Sequence, residues 1–129
     1  PYGERDPIVL IPAIRPDIAL FHARWADADG NVWVGVRREL MTMAHAAARS
    51  CVTVEALYEG CLLDDPALAA GTIPALYVDT VCVAPGGMRP LPFGDDAGDP
   101  AALAAYARAA RTRAGFDDWL AGWLTERVA

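Results

Sequence analysis

The stretch RPDIALFHARWADADGNVWVG (residues 15–35) decides how the chain is read, because it sets two strand patterns on either side of a tight polar turn. Ile18, Leu20 and His22 alternate with Ala19, Phe21 and Ala23, so both sets are largely apolar and the segment reads as a strand buried on both faces. Asp29-Gly30-Asn31 then supplies turn chemistry, Gly30 being free to take positive φ, before Val32-Trp33-Val34 runs on as a second strand. A hairpin is the local result. It carries no chemistry by itself.

Outward from this hairpin the hydrophobic period changes. Upstream, the apolar run at residues 8–11 lies between Pro7 and Pro12 and predicts a short buried or edge strand. Downstream, Leu40, Met43, Ala44 and Ala47 recur at helical spacing, and residues 51–57 return to period two, with Val52, Val54 and Ala56 on one face and Thr53 and Glu55 on the other. Asp65-Pro66 with Gly71 predicts a short capped helix, and residues 77–84 the next strand. Residues 85–99, rich in glycine and proline, form a long loop. Asp99-Pro100 opens a helix carrying Leu103 and Tyr106, and Phe116, Trp119, Leu120, Trp123 and Leu124 mark a closing helix with a wide apolar stripe. Alternating strands and helices predict an α/β fold, a mainly parallel sheet with covering helices. At 129 residues, one domain over 1–129 is expected, with a sizeable core.

Composition narrows the function. A net charge of -6 without a dense basic run argues against nucleic acid as partner. No apolar run approaches the roughly 20 residues of a membrane span and no signal-peptide pattern opens the chain, so no membrane association and a cytoplasmic location are expected. There is no lysine, which removes Schiff-base chemistry and a Walker-type phosphate loop, and the one serine, Ser50, lacks the flanking glycines of a nucleophile elbow. Cys51, Cys61 and Cys82 are odd in number and lack metal spacing, so buried free thiols and no metal are expected.

The candidate site residues each have a structural and a functional reading. Glu55, inside a valine-flanked strand, is either a general base or substrate contact, or a carboxylate held by a structural partner. His22 is a core histidine or a functional one, with no second ligand at metal spacing. Asp27, Gly30 and Asn31 either position substrate or a partner subunit, or simply make the turn. Gly86 and Gly87, with Arg89 nearby, could admit an anionic ligand to backbone amides or be a plain turn.

Four pieces in order carry a family resemblance. Pro16-Asp17, the strand with His22-Ala23 and Ala26-Asp27-x-x-Gly30-Asn31-Val32 come first; residues 43–48 with Val52-Thr53-Val54-Glu55 come second. Ile73-Pro74, Val78-Asp79 and Val83-Ala84-Pro85-Gly86-Gly87-x-x-Pro90 follow, then Gly115-Phe116 with Trp119-Leu120. In this order they resemble the alpha subunit of class I coenzyme A transferases of the glutaconate type, over nearly the whole chain.

The resemblance implies a transferase-type fold and an enzyme complex moving coenzyme A between carboxylic acids, or a related acyl-CoA hydrolase. It implies a beta-subunit partner, acyl-CoA and carboxylate substrates, an oligomer, and no tightly bound cofactor, the coenzyme A thioester being substrate. In that family the acyl group passes through a glutamate in a Ser-Glu-Asn-Gly context of the beta half, and the first half of the alpha subunit carries a Gly-Gly-Phe loop. Neither motif is present, so the chain reads as the C-terminal part of a longer alpha subunit. It would be structural and subunit-contacting, with no catalytic residue unless Glu55 is one. Two rivals stand beside this: a non-catalytic binding or assembly module of the same fold, and another small α/β enzyme such as a sugar-phosphate isomerase.

Overall fold

The computed structural model describes residues 9–128, with side chains through Thr125. Two compact units divide the chain after Val83, and each is described by itself.

The first unit is a five-stranded sheet in the order β4-β2-β1-β3-β5. Its centre is β1 (Ile18–Ala26) beside β3 (Arg49–Leu57), a long parallel ladder that sets Leu20 opposite Cys51 and His22 opposite Thr53. The short β2 (Val32–Trp33) returns antiparallel to β1, and β4 (Thr72–Ile73) pairs antiparallel with β2. On the other side β5 (Thr80–Val83) runs parallel to β3. Between β2 and β3 lies α1 (Arg38–Ala46), the helix of the β-α-β crossover. Leu40, Met41 and Ala44 of this helix, with Ala47 just past it, pack against a core of Ala19, Phe21, Ala23, Val52, Val54, Val32 and Ile73. Backbone bonds from Ala48 N to the Pro16 carbonyl and from Arg49 N to the Asp17 carbonyl lock the start of β3 to the approach of β1.

Several expectations are corrected. β1 is buried on one face only: Ala19, Phe21 and Ala23 are covered, whereas Ile18 and Leu20 on the opposite face are 49% and 71% exposed. Apolar alternation on both faces gives a strand's capacity for burial, and α1 covers one of them. Residues 9–11 join no strand of this sheet, because no edge of this unit lies alongside them; Ile8 lies outside the described residues. The stretch from Asp65 forms turns and a 3₁₀ turn at Ala69–Gly71 rather than an α-helix, since a segment that short does not recover the cost of helix nucleation. The last strand begins at Thr80, after a second 3₁₀ turn at Ala75–Tyr77. Met43 points away from the core and is exposed, the inward face of α1 being set by Leu40, Ala44 and Ala47. The three cysteines are free as expected, but half-buried or exposed rather than buried.

The second unit holds α2 (Pro100–Ala109) and α3 (Arg113–Val128) after a glycine- and proline-rich loop. Asp99 caps α2 as its sequence predicts, its carboxylate accepting from Ala102 N with Pro100 in the first turn. Tyr106 of α2 meets Trp119 of α3 edge-on at 5.0 Å, and Trp119 stacks along the helix on Phe116 and Trp123. None of the described side chains in this unit is fully buried.

Candidate functional site

Two polar clusters form on the first unit, both anchored on β1. The first sits where β1 leaves the sheet. Asp27 follows the last paired residue, Ala26, and its buried carboxylate accepts four hydrogen bonds. Asp29 N and Asn31 N reach Oδ1 at 3.1 and 2.9 Å, closing the turn on itself. The Asn31 amide nitrogen and Leu62 N reach Oδ2 at 2.8 and 2.9 Å. Asn31 in turn accepts from Ala75 N through Oδ1 at 2.9 Å. Gly30 makes the geometry possible with φ of 91°, a left-handed conformation that a side chain would strain.

Burial pushes the Asp27 carboxyl up, but the Asn31 amide and the N–H groups of Leu62, Asn31 and Asp29 outweigh it and hold the group below the usual aspartate range. Sequence placed Asp27, Gly30 and Asn31 together as a turn. Leu62 and Ala75 went unrecognised, since backbone donors carry no residue-type signal. Asp29 and Cys61 bring ligand atoms within 4.8 Å of Asp27, which is the composition of a metal cluster. With four donors on the roughly four lone-pair positions of the Asp27 carboxylate, that oxygen pair is already occupied.

The second cluster lies in the middle of the parallel ladder. The His22 ring joins Thr53 Oγ1 through Nδ1 at 2.8 Å and Glu55 Oε1 through Nε2 at 2.7 Å. The arrangement that satisfies a neutral ring has Nε2–H donating to the carboxylate and Nδ1 accepting the threonine hydroxyl proton. Burial is unequal: the His22 side chain is 4% exposed and that of Glu55 31%. The parallel register brings the three together, because His22 sits directly opposite Thr53 and Glu55 lies two residues further along the same face. Both readings of Glu55 and His22 thus converge on one another as partners. The five-residue step from His22 to Asp27 along an extended chain is about 16 Å, so the two clusters are separate.

In the second unit Gly86, Gly87 and Arg89 stand in one turn. Gly87 N bonds to the Ala84 carbonyl and Arg89 N to the Gly86 carbonyl, which spends those amides on the turn itself. Arg89 pairs with Asp96 at 2.8 Å, and this contact, with the Gly98 amide, holds the Asp96 carboxyl below its ordinary value.

No protein-family model matches the chain. Among curated proteins it is 36% identical over 89 residues to the alpha-type subunit of 3-oxoadipate CoA-transferase from Pseudomonas knackmussii, covering 66% of this chain and 29% of that protein. It is 29% identical over 127 residues to the alpha-type subunit of glutaconate CoA-transferase from Acidaminococcus fermentans, covering 96% of this chain and 39% of that one. Two solved structures share the fold at a TM-score of 0.72: glutaconate coenzyme A-transferase from Acidaminococcus fermentans, at 29% identity over 89% of this chain and 36% of that one, and a cysteine-to-serine variant of the decarboxylase AibA/AibB, at 35% identity over 88% and 41%. The chain therefore spans 29% and 39% of the length of its two curated relatives. Sequence and fold agree, and the chain belongs to the coenzyme A transferase family as a segment of the alpha-subunit type.

Proposed function

We propose that this chain is part of the alpha subunit of an enzyme that moves coenzyme A between carboxylic acids, and that it contributes scaffold and subunit contacts rather than the nucleophile. The observation that carries this is the end-to-end likeness to the alpha-type subunit of glutaconate CoA-transferase, which takes in 96% of the chain. The site chemistry supports the division of labour. Asp27 already accepts four hydrogen bonds, and Glu55 is held by His22, so both carboxylates serve the sheet. On this reading the acyl glutamate lies on a beta-subunit partner, the coenzyme A thioester comes and goes as substrate, and the assembly works in the cytoplasm. His22, Asp27, Gly30 and Asn31 hold the sheet's geometry, and Gly86, Gly87 and Arg89 shape the exit loop.

The test is to incubate the purified chain with a panel of acyl-CoA thioesters and carboxylate acceptors, alone and then beside complete alpha and beta subunits. The chain alone should transfer no coenzyme A. Transfer by the isolated chain, with a thioester trapped on Glu55, would overturn the proposal and make that carboxylate the nucleophile. A second reading has one specific support, the decarboxylase match at 35% identity with the same TM-score. Release of CO₂ without exchange of coenzyme A in the assembled enzyme would favour it.

A further inference from the structure

We propose that two copies of this chain associate by reciprocal strand exchange, residues 9–14 of each adding to the free edge of β5 of the other. The donor is a run of mainly aliphatic, uncharged residues in extended conformation. Val9, Leu10, Ile11 and Ile14 are 80–89% exposed, and residues 9–14 make no backbone hydrogen bond among the described residues. Such a segment carries free N–H and C=O groups beside β-forming side chains, the makings of an added strand. Pro12 lacks an N–H, which restricts the segment to pairing on one side, at an edge.

The acceptor is on the same chain. β5 pairs with β3 alone among the described strands, so its other edge is open. Beside it runs a groove of about 450 Å³ walled by Leu57, Val78, Val81 and Val83, with Asp29 and Asp79 also lining it. Leu57 and Val83 are half-exposed there and lack apolar cover. Charge matches as well, because Arg15 adjoins the donor while the groove carries two carboxylates. Each donor presents on the order of 400 Å² of aliphatic surface, so two contacts counted on both sides reach roughly 1,600 Å², the size of a stable interface.

Geometry favours a second copy over closure within one chain. Pro16 and Asp17 are bonded to the start of β3, which fixes where the donor leaves the sheet. Reaching beyond β5 from β1 means crossing three strand spacings, about 14 Å. The four residues from Pro16 back to Pro12 span at most about 14 Å fully extended, which leaves no slack for a turn. A short connection of this kind is what turns self-pairing into exchange between copies.

The proposal does not depend on the transferase reading, and sedimentation velocity on the purified chain tests it. The wild-type chain should sediment as a dimer. A donor variant, Leu10→Asp with Ile11→Asp, and an acceptor variant, Val83→Asp, should each be monomeric with unchanged circular dichroism and urea midpoint, because all three side chains are exposed. Mixing the two variants should restore a dimer, since one has an intact edge and the other an intact strand. Leu57→Asp serves as a second acceptor variant should Val83→Asp unfold. A monomeric wild type, a dimer that survives both variants, or a mixture that stays monomeric overturns strand exchange.

Discussion

Replacing Asp27 by asparagine keeps the shape of the side chain and halves its capacity to accept. The carboxylate takes four donors at 2.8–3.1 Å, three of them backbone N–H groups fixed by the fold. An amide oxygen in its place can take two, and the amide NH₂ then faces the other two donors. Turning the Asn31 amide gives no relief, because its oxygen already accepts from Ala75 N and the turned group would set donor against donor. Two hydrogen bonds to a charged group, at roughly 1.5–3 kcal/mol each, are therefore lost with their donors stranded, a cost of about 3–6 kcal/mol. At the usual dependence on denaturant this lowers the urea midpoint by on the order of 2 M.

The exchange Asp27→Asn with Asn31→Asp sharpens the test. The new carboxylate at position 31 accepts both from Ala75 N and from the new amide at position 27, leaving Leu62 N–H alone without an acceptor. The double variant should lose only about 1–3 kcal/mol and so be more stable than the single one. Urea titration followed by tryptophan fluorescence measures both. A single variant within about 0.5 kcal/mol of wild type, or a double variant no better than the single, would refute the hydrogen-bond account.

The same carboxylate sets a pH dependence. Its folded value lies below its unfolded value of about 3.9, so its contribution is fully present above that and is lost as pH falls through the folded value. Urea midpoints should fall in acid for the wild type and much less for Asp27→Asn. Gly71→Ala should destabilise by about 1–3 kcal/mol, because an added Cβ would sit 2.8 Å from Gly35 Cα and 3.1 Å from Trp33 Nε1. Gly122→Ala, with nothing within 4 Å in the middle of α3, should instead stabilise by about 0.5–1 kcal/mol, and the opposite signs are read from the same thermal melts. Trp119→Ala should cost about 1–3 kcal/mol through its three aromatic contacts, seen as lost hydrogen-exchange protection in α2 and α3.

The elements were legible where a local pattern had only one partner to meet. The hairpin at Gly30, the helix from Arg38, the strand around Val52 and Val54 and the Asp99 cap each follow from residues within a few positions of one another. Leu20 and residues 9–11 misled for one shared reason. Apolar side chains record that a surface is built to be covered, and nothing in their spacing says whether the cover comes from the same unit. The clusters were legible in part. Asp27 and Asn31 are neighbours in sequence, but their other donors lie 35 and 44 residues away and are backbone amides, which any residue but proline supplies. His22 and Glu55 each stood out alone. Their pairing becomes visible only once the parallel register sets His22 against Thr53, 31 residues on.

These long spans also bear on what the polar clusters do in an assembled enzyme. Asp27 sits at the C-terminal end of β1, where ligands approach open α/β sheets, so loss of activity on its substitution would be expected under either a chemical or a structural role. Its wiring separates the two. Through its own oxygens and those of Asn31 it ties the β1–β2 turn to the backbone at Leu62 and Ala75, joining three stretches that the sheet ladders leave unconnected at that point. A carboxylate spent in this way acts on chemistry only by holding strand ends in place. In the assembled enzyme, then, Asp27→Asn with Asn31→Asp should regain activity in step with the stability it regains. Recovery of the urea midpoint with no recovery of turnover would instead put the Asp27 carboxylate in contact with the reacting groups.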